Sequence, residues 1–392
     1  MNNRPTGDMV QVHLLTAYPA ALLNRDDAGL AKRIPFGGTV RVRVSSQCLK
    51  KHWREASLIA DLGDLAVRSE RIFRLEIAEP LIAQRGESSK PVVEAIARHL
   101  MAVVMSSKEG AAEHDKRPLH TKQLAILTRA EVDWLKQAAE QIYDLLAPHQ
   151  IKPDPKAVDA KLKELDRDLR KDLKEVAQAL PASLDTALFG RMVTSDLIHR
   201  VDAAVSVAHA FTTHAEEAET DYFTAVDTLK TEEDDAGAGL IQDTELTSGV
   251  FYTYAVIDMN QLRDNLVGFP PEFAETLARQ LVAAMAKVSP GAKKGSTAPY
   301  AYAEMVLLER GPEQPRTLAN AFLEPVRANG LNLLTVSAEK LLQYRQDMTA
   351  MYGAPRGVAA LSVMHKIDTG ELAGSALEAC LGQVFQAEPI HA

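Results

Sequence analysis

Only two cysteines occur in the 392 residues, Cys48 and Cys380, far apart and outside any CxxC or Cys/His cluster. That scarcity excludes a disulfide framework and a structural zinc site, and it fits a reducing cytoplasm. No apolar run reaches the roughly 20 residues of a membrane span. The start, MNNRPTGDMVQVHLL, has no basic region leading into a long apolar stretch, so neither secretion nor membrane insertion is expected. GAKKGST, residues 291–297, lacks the glycine-lysine-hydroxyl order and the clear strand-to-helix setting of a phosphate-binding loop. Net positive charge is absent too: 44 Lys and Arg face 53 Asp and Glu, a balance of −9, which argues against coating nucleic acid by bulk charge.

What is present is an ordinary globular balance, 46% apolar and 25% charged, in a chain long enough for two or three lobes. The charge is segregated. Residues 25–54 carry eight cations, Arg25, Lys32, Arg33, Arg41, Arg43, Lys50, Lys51 and Arg54, against Asp26 and Asp27; residues 216–245 carry eleven acids against Lys230. MVQVHLLTAY reads as a first strand and TVRVRVS as a second, with Val40, Val42 and Val44 on the packing face and Arg41 and Arg43 on the face that meets solvent or an anion. PAALLNRDDAGLAKRIPFGG between them is rich in turn formers and reads as a long loop. After it the period becomes helical. Leu49, Trp53, Ala56 and Ala60 share an apolar sector, Lys50, Lys51 and Arg54 another, and Ser45 or Ser46 is the natural N-cap.

Residues 60–185 are largely helical in pattern. The clearest segment opens at Asp154-Pro155, ends at Pro181 and carries the stripe Val158, Leu162, Leu165, Leu169, Leu173, Val176 and Leu180. Lys163, Arg167, Arg170 and Lys174 cluster away from that stripe. VDAAVSVAHAFTTH and SGVFYTYAVIDM are β-rich and flank the acidic excursion, which reads as a protruding hairpin or loop. PPEFAETLARQLVAAMAKV follows as a helix and YAEMVLLER as a strand. Interleaved strands and helices around an inserted helical lobe predict an α+β core.

Each cluster supports two readings. The strand arginines with Lys50, Lys51 and Arg54 on a capped helix suit phosphate binding, or form a solvated cationic surface. The stripe Lys163, Arg167, Arg170, Lys174 can track a nucleic-acid backbone, or pair with neighbouring acids on an ordinary surface helix. Lys293 and Lys294 in GAKKGST make a basic loop or a plain turn. His209, Thr212, Thr213 and His214, with Asp26 and Asp27, hold groups a nuclease could use, yet match no specific spacing and read more simply as structural. Tyr222 and Phe223 in DYFTAVD either stack on bases or anchor their own hairpin.

The stretches LLNRDDAGLAKRIPFGGTVRVRVSSQCLKKHWR, ALFGRMVTSD, VSVAHAFTTH, DYFTAVD, SGVFYTYA and VSPGAKKGSTAPY occur in an order that resembles the CasC family, the backbone subunit of Cascade, the type I-E CRISPR RNA-guided surveillance complex. The resemblance runs from the first strand to LANAFLEPV, residues 318–326. It implies an RRM-like (ferredoxin-like) palm in residues 1–59, 186–215 and 248–392, helical fingers in 60–185 and a thumb in 216–247. It also implies a protein without catalytic residues, metal or cofactor, whose copies form a helical filament along CRISPR guide RNA with other Cascade subunits and help to hold target DNA. By resemblance Arg25, Lys50 and Arg54 contact guide phosphates, with Ser45 and Gln47 adding hydrogen bonds. Lys32, Arg41, Arg43, Lys293 and Lys294 complete the basic set. Met192 packs beside a kinked base, and Tyr222, Phe223 and Thr224 form the thumb tip, Tyr222 standing where a tryptophan is common. Lys163, Arg167 and Arg170, with Lys174, resemble the finger cations that hold target DNA, although Glu164 occupies a position that can be basic. The competing expectation is a ribonuclease like related type III backbone subunits, for which Asp221 is the candidate.

Overall fold

A computed structural model describes residues 7–105, 113–114, 117–146, 155–179, 182–192, 198, 200–225 and 240–385. The chain divides into two units, one of residues 1–61, 205–260 and 271–392, the other of residues 62–204 and 261–270.

The first unit is built on an antiparallel sheet whose centre is β1 (Met9–Ala21). Residues 10–16 of β1 are buried without interruption, as a strand covered on both faces requires. On one side β1 pairs with the long strand Leu240–Asp258, on the other with Met305–Gly311, so that Val12 faces both Ala255 and Leu308. Val358–Val363 closes one edge. Towards the other edge, Ala210–Thr212 pairs with the long strand and then with β3 (Thr39–Val44), and β3 with β2 (Arg33–Phe36). Helix Leu333–Tyr352 contributes Leu334, Ala338, Leu341 and Leu342 to a core that also holds Leu15, Tyr252, Leu307 and Phe322. Helix Phe273–Lys287 packs against α1 (Ser46–Arg54) and against Leu377–Phe385. The acidic excursion begins as a two-stranded ladder, Ala218–Ala225 against the first residues of Leu240–Asp258, with Asp221 opposite Thr244. Its tip, 226–239, lies outside the described residues.

Two readings of the sequence need correction. The segment between β1 and β3 is not a long loop. β1 continues to Ala21, and residues 33–36 return as β2, in a hairpin with β3 through the turn Gly37-Gly38. Both glycines have positive φ, 62° and 78°, the backbone that a two-residue hairpin turn demands and that glycine supplies without strain. The simple alternation of β3 also fails at its start. Val40 is 44% exposed, whereas Arg41 is fully buried. Its guanidinium donates to Thr212 O and Phe322 O, both at 2.9 Å, and to Thr39 Oγ1 at 2.9 Å. Arg41 is therefore a structural bolt between the hairpin and two other chain segments, with each of its three nitrogens donating to a protein oxygen.

The second unit is largely helical. Lys90–Met105, Arg129–Leu146 and Pro155–Ala179 enclose a core of Phe73, Ile77, Ile96, Leu100, Val104, Leu135, Ile142, Leu162 and Leu173. Thr128 and Glu131 form a reciprocal cap on Arg129–Leu146: Thr128 N donates to Glu131 Oε2 and Glu131 N to Thr128 Oγ1. The same carboxylate meets Arg191 at 2.7 Å in a buried pair. Asp154, the expected cap of the longest helix, lies outside the described residues. Among the described residues no helix is long and apolar enough to cross a membrane.

A buried histidine gives the first unit a measurable acid sensitivity. His13 Nδ1 lies 2.9 Å from the Tyr252 hydroxyl, and burial lowers its pKa to about 4. Burial pushes Glu309 upward, but His13, Arg345 and Arg316 outweigh it and hold that carboxyl below its ordinary value. The unfolded chain takes up a proton at His13 near pH 6.5, the folded chain only near pH 4, so stability is lost as pH falls through that window. The expected loss from His13 is about 2 kcal/mol by pH 5, at about 1.4 kcal/mol per unit. Urea melts between pH 7 and 4 check it, and His13→Gln should flatten the slope; an unchanged slope would refute the assignment.

Candidate nucleic-acid interface

The loop leaving β1 is folded on itself. Asp26 Oδ1 accepts from Ala28 N and Leu30 N, and Arg25 bridges to Ala31. Asn24 Oδ1 accepts from Ser45 N at 2.9 Å, which ties this loop to the start of α1. Ser45 is the N-cap: its Oγ accepts from Cys48 N at 3.3 Å, and the residue is buried. Its hydroxyl thus serves the helix, a role nearer to scaffold than to ligand contact. Arg25 and Gln47 are exposed.

From α1, Lys50 and Arg54 are half-buried and Lys51 is exposed. Partial burial pushes the Lys50 ammonium pKa down, the mark of a cation whose hydration is incomplete. Arg54 lies 3.6 Å from Glu55. Leu49 and Trp53 anchor the opposite side of the helix in the core. Helix α1 stops at Arg54, and Ala60 belongs to a separate short turn, Ser57–Ala60.

Three further segments bring cations to the same place. Burial raises the Cys48 thiol pKa, while Lys51, Lys32 and Lys294 pull it down. Burial lowers His52, and Lys294 and Lys51 add to that effect. Burial also lowers His209, helped by Arg43 and Lys32. Lys32, Arg43, Lys51 and Lys294 therefore share one electrostatic neighbourhood, although Lys294 is far from the other three in sequence. Ala292 N donates to Leu22 O at 2.9 Å, which fastens the GAKKGST loop beside the end of β1. Lys293 donates to Thr244 Oγ1 at 2.6 Å. No local pattern signals the arrival of Lys294, because the contact depends on sheet order.

The acidic excursion is fastened to this basic region within one copy of the chain. Arg33 pairs with Glu216 and Glu245, and Glu245 Oε2 accepts from Ala31 N at 2.6 Å. Arg43 donates through Nε to Arg33 O at 3.0 Å and through Nη1 to His209 Nδ1 at 3.0 Å. Three of the groups that a nuclease could have used are bound into the fold. Thr212 Oγ1 donates to His214 O, Thr213 Oγ1 meets Ser337 Oγ at 2.9 Å, and His214 is buried with Nδ1 at Ala215 O.

Tyr222, Phe223 and Thr224 lie in the ladder strand Ala218–Ala225, and their side chains are outside what the structure describes. In the second unit Met192 is 89% exposed, an apolar side chain offered to solvent. Along Pro155–Ala179, Lys163, Arg167 and Lys174 are exposed. Arg170 pairs with Asp166 at 2.7 Å and Lys161 with Glu164 at 2.9 Å, so part of that helix's charge is balanced locally.

With this geometry established, three comparisons apply. Residues 10–387 match the family described as CT1975-like protein. A chain of a solved "CRISPR RNA-guided surveillance complex, pre-nicking" superposes with a TM-score of 0.78 at 27% identity, covering 97% of this chain and 100% of that one. A chain of a second "CRISPR RNA-guided surveillance complex" gives 0.69 at 25% identity, with the same coverage. No curated protein matches. The family match and the two structures bear out the resemblance carried by the motifs.

Proposed function

The chain belongs to the CT1975-like protein family, and from that membership we propose that it is a non-catalytic, guide-RNA-binding backbone subunit of a CRISPR RNA-guided surveillance complex. The observation that carries this reading is the convergence of Lys32, Arg43, Lys51 and Lys294 beside the capped helix α1. Four cations from separate segments form an anion-binding surface on a chain of net charge −9, and such local segregation decides what binds where. Arg25, Gln47, Lys50 and Arg54 adjoin it in sequence and extend the surface along the RNA backbone.

In this reading residues 1–59, 186–215 and 248–392 supply an RRM-like palm, residues 60–185 the fingers, and residues 216–247 a thumb that reaches a neighbouring copy. Copies follow one another along the guide, Met192 packs on a base, and Lys163, Arg167 and Lys174 attract target DNA by charge. The protein holds guide backbone and shape, while base pairing reads the target. It works in the cytoplasm beside other subunits of the complex.

Titration of the purified chain with labelled guide RNA at several salt concentrations tests the reading. Affinity is expected to fall steeply with salt, by about 0.7 in log–log slope for each single-strand phosphate neutralised; a flat dependence would defeat it. Catalysis is tested separately. Complementary RNA incubated with the assembled complex and magnesium should stay intact, and periodic cuts that vanish in Asp221→Ala would replace the scaffold by a ribonuclease.

A further inference from the structure

His209 stands at the edge of the cationic surface in a state that its neighbour dictates. A guanidinium has only donors, so the His209 nitrogen that meets Arg43 Nη1 at 3.0 Å must be the one without a proton. A neutral imidazole whose Nδ1 accepts carries its proton on Nε2. A doubly protonated ring would lose this bond and face Arg43 as a like charge. Burial, Arg43 and Lys32 all push its pKa down, in keeping with the neutral form. The arrangement is held from both sides. Arg43 is also fixed through Nε to Arg33 O, and its backbone lies opposite Phe211 in the strand that follows His209. These bonds leave Arg43 Nη2 with no hydrogen-bond partner among the described residues, and His209 is exposed.

We infer that His209 is an uncharged donor of the guide-RNA groove, its Nε2–H giving a hydrogen bond to one backbone phosphate while Arg43 Nη2 holds a neighbouring one. The inference rests on the RNA-binding reading above. The pair works as a two-pronged anion fork, one prong charged and one neutral. Arg43 draws the backbone by charge, and His209 fixes where the adjacent phosphate sits without adding to the salt dependence.

Three variants of the full chain, titrated with labelled guide RNA over a salt series, test this. Arg43→Ala should weaken binding and reduce the log–log salt slope by about 0.7, one phosphate's share. His209→Ala should weaken binding about five-fold, the worth of one ordinary hydrogen bond, with the slope unchanged. His209→Gln should recover to within about two-fold, because a glutamine carbonyl can accept from Arg43 while its amide donates outward. Nitrogen-15 NMR of the free chain should show His209 as the Nε2–H tautomer. An Nδ1–H tautomer, wild-type affinity in His209→Ala, or a slope loss equal to that of Arg43→Ala would overturn the inference; the last outcome would mean that the ring only positions Arg43. If His209→Ala binds as wild type while loss of the Lys50 and Arg54 charges weakens binding, only this inference falls. If the unaltered chain shows no salt-dependent affinity for guide RNA, the RNA reading itself fails.

Discussion

Gly37→Ala is expected to destabilise the first unit by about 4 kcal/mol or more, at the far tail of single substitutions. Two costs add at this position. The backbone has φ of +62°, which an L side chain adopts at about 1–2 kcal/mol. A Cβ placed there would also run into the carbonyl oxygen of Leu323, with the carbonyl carbon directly behind it. Backbone cannot swing aside as a flexible side chain can, so the hairpin or the 322–323 segment has to move. That segment is where Arg41 donates to Phe322 O, and displacement would strip a buried guanidinium of an acceptor, with the penalty that an unsatisfied buried charge carries. Gly38→Ala is the internal control. Its φ is +78° but nothing lies within 4 Å of its Cβ position, so only the backbone cost of about 1 kcal/mol remains. Urea melts of the two variants should differ by about 3 kcal/mol or more, and equal midpoints would show that the approach to Leu323 matters little.

This hairpin also marks where the sequence was legible and where it was not. Helix α1 announced itself through Ser45 and the spacing of Leu49 and Trp53, because capping and amphipathic period are local properties. The turn at Gly37-Gly38 was equally local, but the polar, turn-rich text before it outweighed the signal, and β2 went unread. Arg41 was misplaced for a different reason. Alternation assigns faces and by itself turns an outer-face arginine to solvent, whereas in the fold two carbonyls from residues 212 and 322 satisfy it. Those acceptors are set by tertiary contact, which no window of sequence contains. The same holds for the site as a whole. Lys50 and Arg54 were visible from their helix, whereas the placing of Lys294 and the fixed tautomer of His209 depend on which segments the fold brings side by side.

Removing the charges of Lys50 and Arg54 together should weaken guide-RNA binding by about 100- to 10,000-fold, since each charge-assisted hydrogen bond to phosphate contributes about 1.5–3 kcal/mol. Lys50 is the more telling member. Its lowered pKa shows an ammonium already deprived of part of its hydration, so an arriving phosphate meets a charge whose desolvation has been partly completed by folding, and gains more from it than from a fully hydrated lysine. Because both stems are half-buried, alanine would confound lost packing with lost charge. Lys50→Met with Arg54→Gln keeps most of each stem, and loss of Arg54 from the last turn of α1 costs only about 0.3–1 kcal/mol through the helix dipole. The salt slope should fall by about 1.4, two single-strand phosphates' share, with urea melts confirming that the variant stays folded. A stable double variant that binds guide RNA with unchanged affinity and unchanged slope would remove α1 from the interface and leave Lys32, Arg43 and Lys294 to define a different path for the polymer.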